Sequence, residues 1–174
     1  MVAMRIAIVY YSRTGYTERI VDELGLYLKN EGFMVDVYKV IPVREYSKPL
    51  HLNPRLIYDT LVKRGTDIRF EHSEPKLNDY SAVIVASPIW IGMLSPPVQE
   101  FLRKYTVARL MIVTTSIQSI RVDKIEKIVE KLCGAKPLIC VNIRDATIRN
   151  SVKLREAIED IAKKFKAIVK GEDI

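Results

Sequence analysis

Hydrophobic and polar positions change period several times along this chain, and each change marks an element. Ile6, Ala7, Ile8, Val9, Tyr10 and Tyr11 form an unbroken apolar run, which predicts a strand buried on both faces, as in the middle of a parallel sheet. After residues 12–17 the spacing becomes helical. Ile20, Val21, Leu24 and Leu28 recur on one face while Glu18, Arg19, Asp22 and Glu23 occupy the other, so this helix lies along the sheet. Asn30-Glu31-Gly32 ends it, and residues 33–40 alternate as a second strand near an edge, closed by Pro42. Residues 82–86 read as a third buried strand, followed by a helix through Phe101, Leu102 and Tyr105. Residues 109–114 and 138–143 read as a fourth and fifth strand, with helices over 122–132, ended by Gly134, and over 152–169. Strands alternating with helices predict a parallel sheet covered on both faces, because parallel neighbours need crossovers and these run right-handed.

One segment breaks the alternation. Residues 43–80 are polar and punctuated by Pro49, Pro54 and Pro75, with one helix candidate at 54–63 whose apolar face is Ile57, Tyr58, Leu61 and Val62. A connection of that length is usually functional or mobile. It reads either as an insertion over the carboxyl edge of the sheet that lines a substrate pocket, or as a surface elaboration with no role.

Composition narrows the class. A chain of 174 residues that is 48% apolar makes one domain, 1–174, with a real core. No stretch approaches a membrane span, and the amino terminus lacks the pattern of a signal peptide. Cys133 and Cys140 form neither a CxxC nor a disulfide framework and read as core residues of a reduced, cytoplasmic protein. The net charge of +7 would suit an acidic partner, but its lysines and arginines are interleaved with acids, as solvated helix faces usually are, and no nucleic-acid motif accompanies them. His51 and His72 stand alone in the insertion without metal-ligand spacing, so no metal is expected.

Two loops carry candidate chemistry. Ser12, Arg13, Thr14, Gly15, Tyr16 and Thr17 join a strand's carboxyl end to a helix's amino end. Free N–H groups, hydroxyls and a glycine suit such a loop to an anion, although the same letters also serve as ordinary cap and turn residues. Neither GxxxxGK[ST] nor GxGxxG is present, which excludes the triphosphate loop and the dinucleotide fingerprint. In the second loop, Pro88, Ile89, Trp90, Ile91 and Gly92 place large apolar side chains after a core strand. They could stack on a flat aromatic ligand or pack beneath the insertion.

The S/T-x-T-G-x-T pattern at 12–17 and the SPIWIGMLSPPVQEFL stretch together resemble the flavodoxin family. That resemblance implies a flavodoxin-like three-layer α/β sandwich with a five-stranded parallel sheet of order 2-1-3-4-5. It further implies FMN as cofactor, its phosphate wrapped by Ser12, Arg13, Thr14, Gly15, Tyr16 and Thr17 and its ring touched by Pro88, Ile89, Trp90, Ile91 and Gly92. After the fourth strand related proteins carry a Gly-rich turn; here residues 114–120 contain no glycine, and Thr115, Ser116 and Gln118 are left to offer polar groups. The implied function is electron transfer with a redox partner protein, requiring no catalytic acid or base. Alternatives are an NAD(P)H-dependent quinone or flavin reductase, covered by the insertion and a second copy of the chain, and a flavin-free binding module on the same fold.

Overall fold

The computed structural model describes residues 4–45, 53–61 and 66–171. In chain order they form β1 (Arg5–Tyr10), α1 (Tyr16–Asn30), β2 (Met34–Pro42), α2 (Pro54–Leu61), β3 (Ile68–Phe70), β4 (Ala82–Trp90), β5 (Met93–Leu94), α3 (Pro96–Lys104), β6 (Leu110–Ser116), α4 (Val122–Cys133), β7 (Ile139–Arg144), α5 (Asp145–Arg149) and α6 (Ser151–Lys170). Among the described residues the sheet has seven strands in the order β3-β2-β1-β4-β6-β7, with β5 pairing β4. The five long ones, β2-β1-β4-β6-β7, run parallel in the expected 2-1-3-4-5 arrangement. The expected count of five is corrected by the two short antiparallel strands, β3 on β2 and β5 on β4. Their two to three residues were too brief to show a period of their own.

Alternation along the central strands divides the core. Ile6, Ile8 and Tyr10 of β1 face α1 and α6, meeting Ile20, Leu24, Ile161 and Phe165. Ala7 and Val9 face the other way, toward Val98, Phe101, Ile125 and Val129 of α3 and α4. Both faces of β1 and β4 are therefore water-free, as their apolar runs require.

Two boundaries differ from the sequence reading, and one short helix is added. β4 does not stop at Ala86 but continues to Trp90, because its end folds back on β5 with Ile89 opposite Leu94 and Trp90 opposite Met93. β6 extends through Ser116, making Thr115 and Ser116 strand residues paired to β7. The last helix forms where expected, α6 starting where the Asn150 side chain accepts from the N–H groups of Val152 and Lys153, and the short α5 before it is an element the sequence reading did not anticipate.

The insertion packs its described parts beside the carboxyl ends of β2 and β4. Its β3 zips onto the end of β2, Val40 opposite Phe70, and Phe70 packs edge-on against Phe101 and Tyr105 of the α3 region. In α2, Tyr58 is exposed rather than on a buried face. His72 is exposed, and His51 and Val62 lie outside the described residues. The described residues hold no cluster of potential metal ligands and no helix long and apolar enough to cross a membrane.

Because β1 continues to β2 on one side while β4 starts the other half of the sheet, the strand order reverses between β1 and β4. Their carboxyl ends stay joined there, with the Tyr11 N–H donating to the Ala86 carbonyl at 3.2 Å. A reversal of this kind opens a crevice at the strand ends.

Candidate functional site

The loop after β1 is built around Gly15, whose φ of 87° lies in the left-handed region. Nothing stands within 4 Å of where its Cβ would be, so the backbone conformation, not crowding within the chain, asks for glycine. The Ser12 hydroxyl accepts from the Gly15 N–H at 3.1 Å and holds the turn. Helix geometry leaves the first-turn N–H groups of α1 without intrahelical acceptors, and no cap side chain takes them. Positive potential from the helix end thus points out of the loop.

Glu18 in that first turn would repel an anion if its charge were bare. Instead its Oε1 accepts from the Tyr10 hydroxyl at 2.7 Å and from Lys39 Nζ at 3.0 Å. The Tyr10 hydrogen bond, followed by Lys39, holds the carboxyl below its usual range against the opposing effect of burial. Arg13 adds positive charge and pairs with Glu45 at 3.0 Å.

The second wall is the hairpin of β4 and β5. Its two-residue turn, Ile91-Gly92, has φ values of 53° and 73°, the positive pair of a type I′ turn. Gly92 suits that geometry. Ile91 does not: a β-branched residue there is strained by about 1–2 kcal/mol, and its side chain is 52% exposed. The hairpin base is tied by buried groups, with the Ser95 N–H donating to Ser87 Oγ at 3.0 Å and Gln99 Nε2 to the Leu94 carbonyl at 2.7 Å. Trp90 packs edge-to-face with the buried Tyr11, ring centres 5.5 Å apart.

The floor comes from the end of β6. Thr115 Oγ1 lies 2.9 Å from Thr17 Oγ1, a buried pair that ties α1 to the sheet. Ser116 Oγ is committed: it accepts from Asn142 Nδ2 at 2.9 Å and donates to the Gln118 carbonyl at 2.6 Å. No residue of 114–120 has positive φ, so this turn closes without glycine.

These parts enclose a cavity of about 490 Å³, within the size range of small-molecule sites. Of the residues proposed from sequence, Arg13, Thr14, Tyr16, Thr17, Pro88, Ile89, Trp90, Ile91, Thr115 and Ser116 line it. Ser12, Gly15, Gly92 and Gln118 do not line it; the first three shape the turns, and Gln118 serves through its carbonyl. No described residue of the insertion reaches the lining, which places the expected substrate-pocket role of 43–80 outside what these residues support. Ile117, Asp145 and Arg149 line the cavity and were not read from sequence. The i, i+4 spacing of Asp145 and Arg149 directly after a strand was the available signal, in a stretch to which the sequence reading assigned no element.

No family model matches the chain, and no curated protein matches it significantly in sequence. Solved structures do. A candidate flavoprotein from Bacteroides uniformis superposes with a TM-score of 0.71 at 16% identity, covering 92% of this chain and 99% of that one. A flavoprotein from Lactobacillus acidophilus, crystallised in complex with FMN, gives 0.60 at 16% identity over 82% of this chain and 94% of that one. A flavodoxin from the domain Archaea gives 0.54 at 15% identity over 94% and 99%. The fold is flavodoxin-like. In this fold the crevice at the strand reversal is the expected ligand position, and here it coincides with the cavity built from residues 13–17, 88–91 and 115–117.

Proposed function

We propose that this chain binds FMN in the cavity between β1 and β4 and works as an electron-transfer flavoprotein. The observation that carries the reading is the meeting, in one cavity, of an uncapped helix end with its hydroxyl-bearing loop and an apolar hairpin carrying Trp90. The residues fit the group. Open space at Gly15 admits a phosphate beside the first turn of α1, the Thr14 and Thr17 hydroxyls can donate to it, and Trp90 with Ile89 offers an apolar wall to a ring. Bound FMN would supply the redox chemistry. The protein orients it: the Thr17–Thr115 pair fixes the cradle to the sheet, Tyr11 backs Trp90, and Lys39, paired with the ionised Glu18, offsets that carboxylate's charge beside the anion. Among the described residues none is demanded as a catalytic acid or base.

Trp90 is the chain's single tryptophan, so its emission reports on the cavity directly. Added FMN should quench Trp90 emission and lose its own fluorescence at a saturating one-to-one ratio. Unchanged emission from both, with the protein folded, would refute the reading.

A second reading is favoured by Ile91 and Ile117, exposed at 52% and 83% beside the cavity. Such an apolar rim suits a second flat molecule, as in an NAD(P)H-dependent quinone or flavin reductase. Mixing the FMN-loaded protein with NADPH separates the two: rapid bleaching supports the reductase, and a persistent yellow colour supports the carrier.

A further inference from the structure

Arg149 reaches the cavity from α5. Its Nε donates to the Tyr16 hydroxyl at 3.0 Å, and its guanidinium carbon lies 5.5 Å from the centre of the Tyr16 ring. Two contacts therefore station this cation beside the first residue of α1. Among the described residues it has no ion-pair partner, although Asp145 stands one turn earlier and lines the same cavity. Its two terminal amino groups likewise have no hydrogen-bond acceptor among the described residues. Arg13, by contrast, is tied to Glu45.

A guanidinium with both amino ends open is a fork matched to two oxygens of a phosphate, and charge-assisted bonds of that kind are roughly twice as strong as neutral ones. We infer that Arg149 is a phosphate-recognition residue that makes the cavity select flavin carrying a 5′-phosphate over riboflavin. The inference rests on the FMN reading above. Loop hydroxyls and helix N–H groups supply neutral donors and Arg13 shares its charge with Glu45, whereas Arg149 supplies full charge that only the phosphorylated ligand can use. Tyr16 positions it through the stacked ring and the hydroxyl.

The test measures dissociation constants of FMN and riboflavin for the wild type, R149M and R149K, from Trp90 and flavin fluorescence at low and high salt. Circular dichroism checks each fold; the side chain is exposed, so both variants should fold. R149M should weaken FMN on the order of 10-fold or more, leave riboflavin within about twofold, and flatten the salt dependence of FMN binding. R149K should keep part of the preference. Equal losses for both ligands, or no loss for FMN, would overturn the assignment alone. A wild type that binds neither flavin would remove the FMN reading and the assignment with it.

Discussion

Replacing Thr17 or Thr115 by valine tests whether the buried hydroxyl pair joins α1 to the sheet. The two oxygens are 2.9 Å apart and the residues are 1% and 3% exposed. Each single substitution keeps the branched shape, removes one hydroxyl and leaves the other without its partner. An orphaned buried hydroxyl costs about 1–3 kcal/mol. Both residues border the cavity, so water entering there moves each cost toward the lower end, about 1–1.5 kcal/mol. Replacing both removes the orphan as well as the bond, and the double variant T17V/T115V should lose no more than about 1 kcal/mol. Urea unfolding at constant slope gives the three values. A coupling of about 1–2 kcal/mol between the sites supports the pair. Additive losses, with the double variant equal to the sum of the singles, would show that the contact contributes nothing and that the cradle is held another way.

Ile91→Asn should hold or raise stability by up to about 1 kcal/mol, because asparagine tolerates the positive φ of 53° while losing only the half-buried part of the isoleucine, about 1 kcal/mol against a strain of about 1–2; a loss above 1 kcal/mol in urea unfolding would contradict the strain argument. Tyr105 is pushed up to about 12 by burial and then by its hydrogen bond to Glu74, and burial followed by Glu18 raises Tyr10 further. Folding therefore holds protons that the unfolded chain gives up near pH 10, so this contribution is complete below pH 10 and is lost as pH rises above it. Absorbance at 295 nm should show fewer than all nine tyrosines ionised in the native protein at pH 11; complete titration near pH 10 would refute it. Burial, then the Glu126 carboxylate, pushes the Cys140 thiol up to about 12. Iodoacetamide at pH 8 should consequently label Cys140 only after unfolding, and mass spectrometry showing rapid native labelling there would count against this.

Much of the frame was legible in the residues. Ile6 to Tyr11 are apolar without interruption because β1 touches helices on both sides, and Ile20, Leu24 and Leu28 recur because α1 has one buried face. Gly134 announced a left-handed helix cap and adopts it, while Gly15, read as a turn or an anion-admitting position, proves left-handed too. The second candidate loop stood out because Pro88 to Ile91 are apolar where a core strand was expected to end. Its form was not legible: pairing of Trp90 with Met93 turned a supposed loop into a strained hairpin. Nor was α5, whose five residues carry too little periodicity to be read as a helix at all.

By itself, then, the order of amino acids determined which segments are buried, which face of each helix is apolar and where the chain must turn. These properties are set by energies acting over a few neighbouring residues, and periodicity and caps record them. Tertiary structure alone decided that Thr17 touches Thr115, 98 positions away, that Tyr11 meets Trp90, and that Arg149 stands over Tyr16. Those contacts follow from the reversal of strand order between β1 and β4, a property of the whole sheet that leaves no mark in any local stretch of the chain.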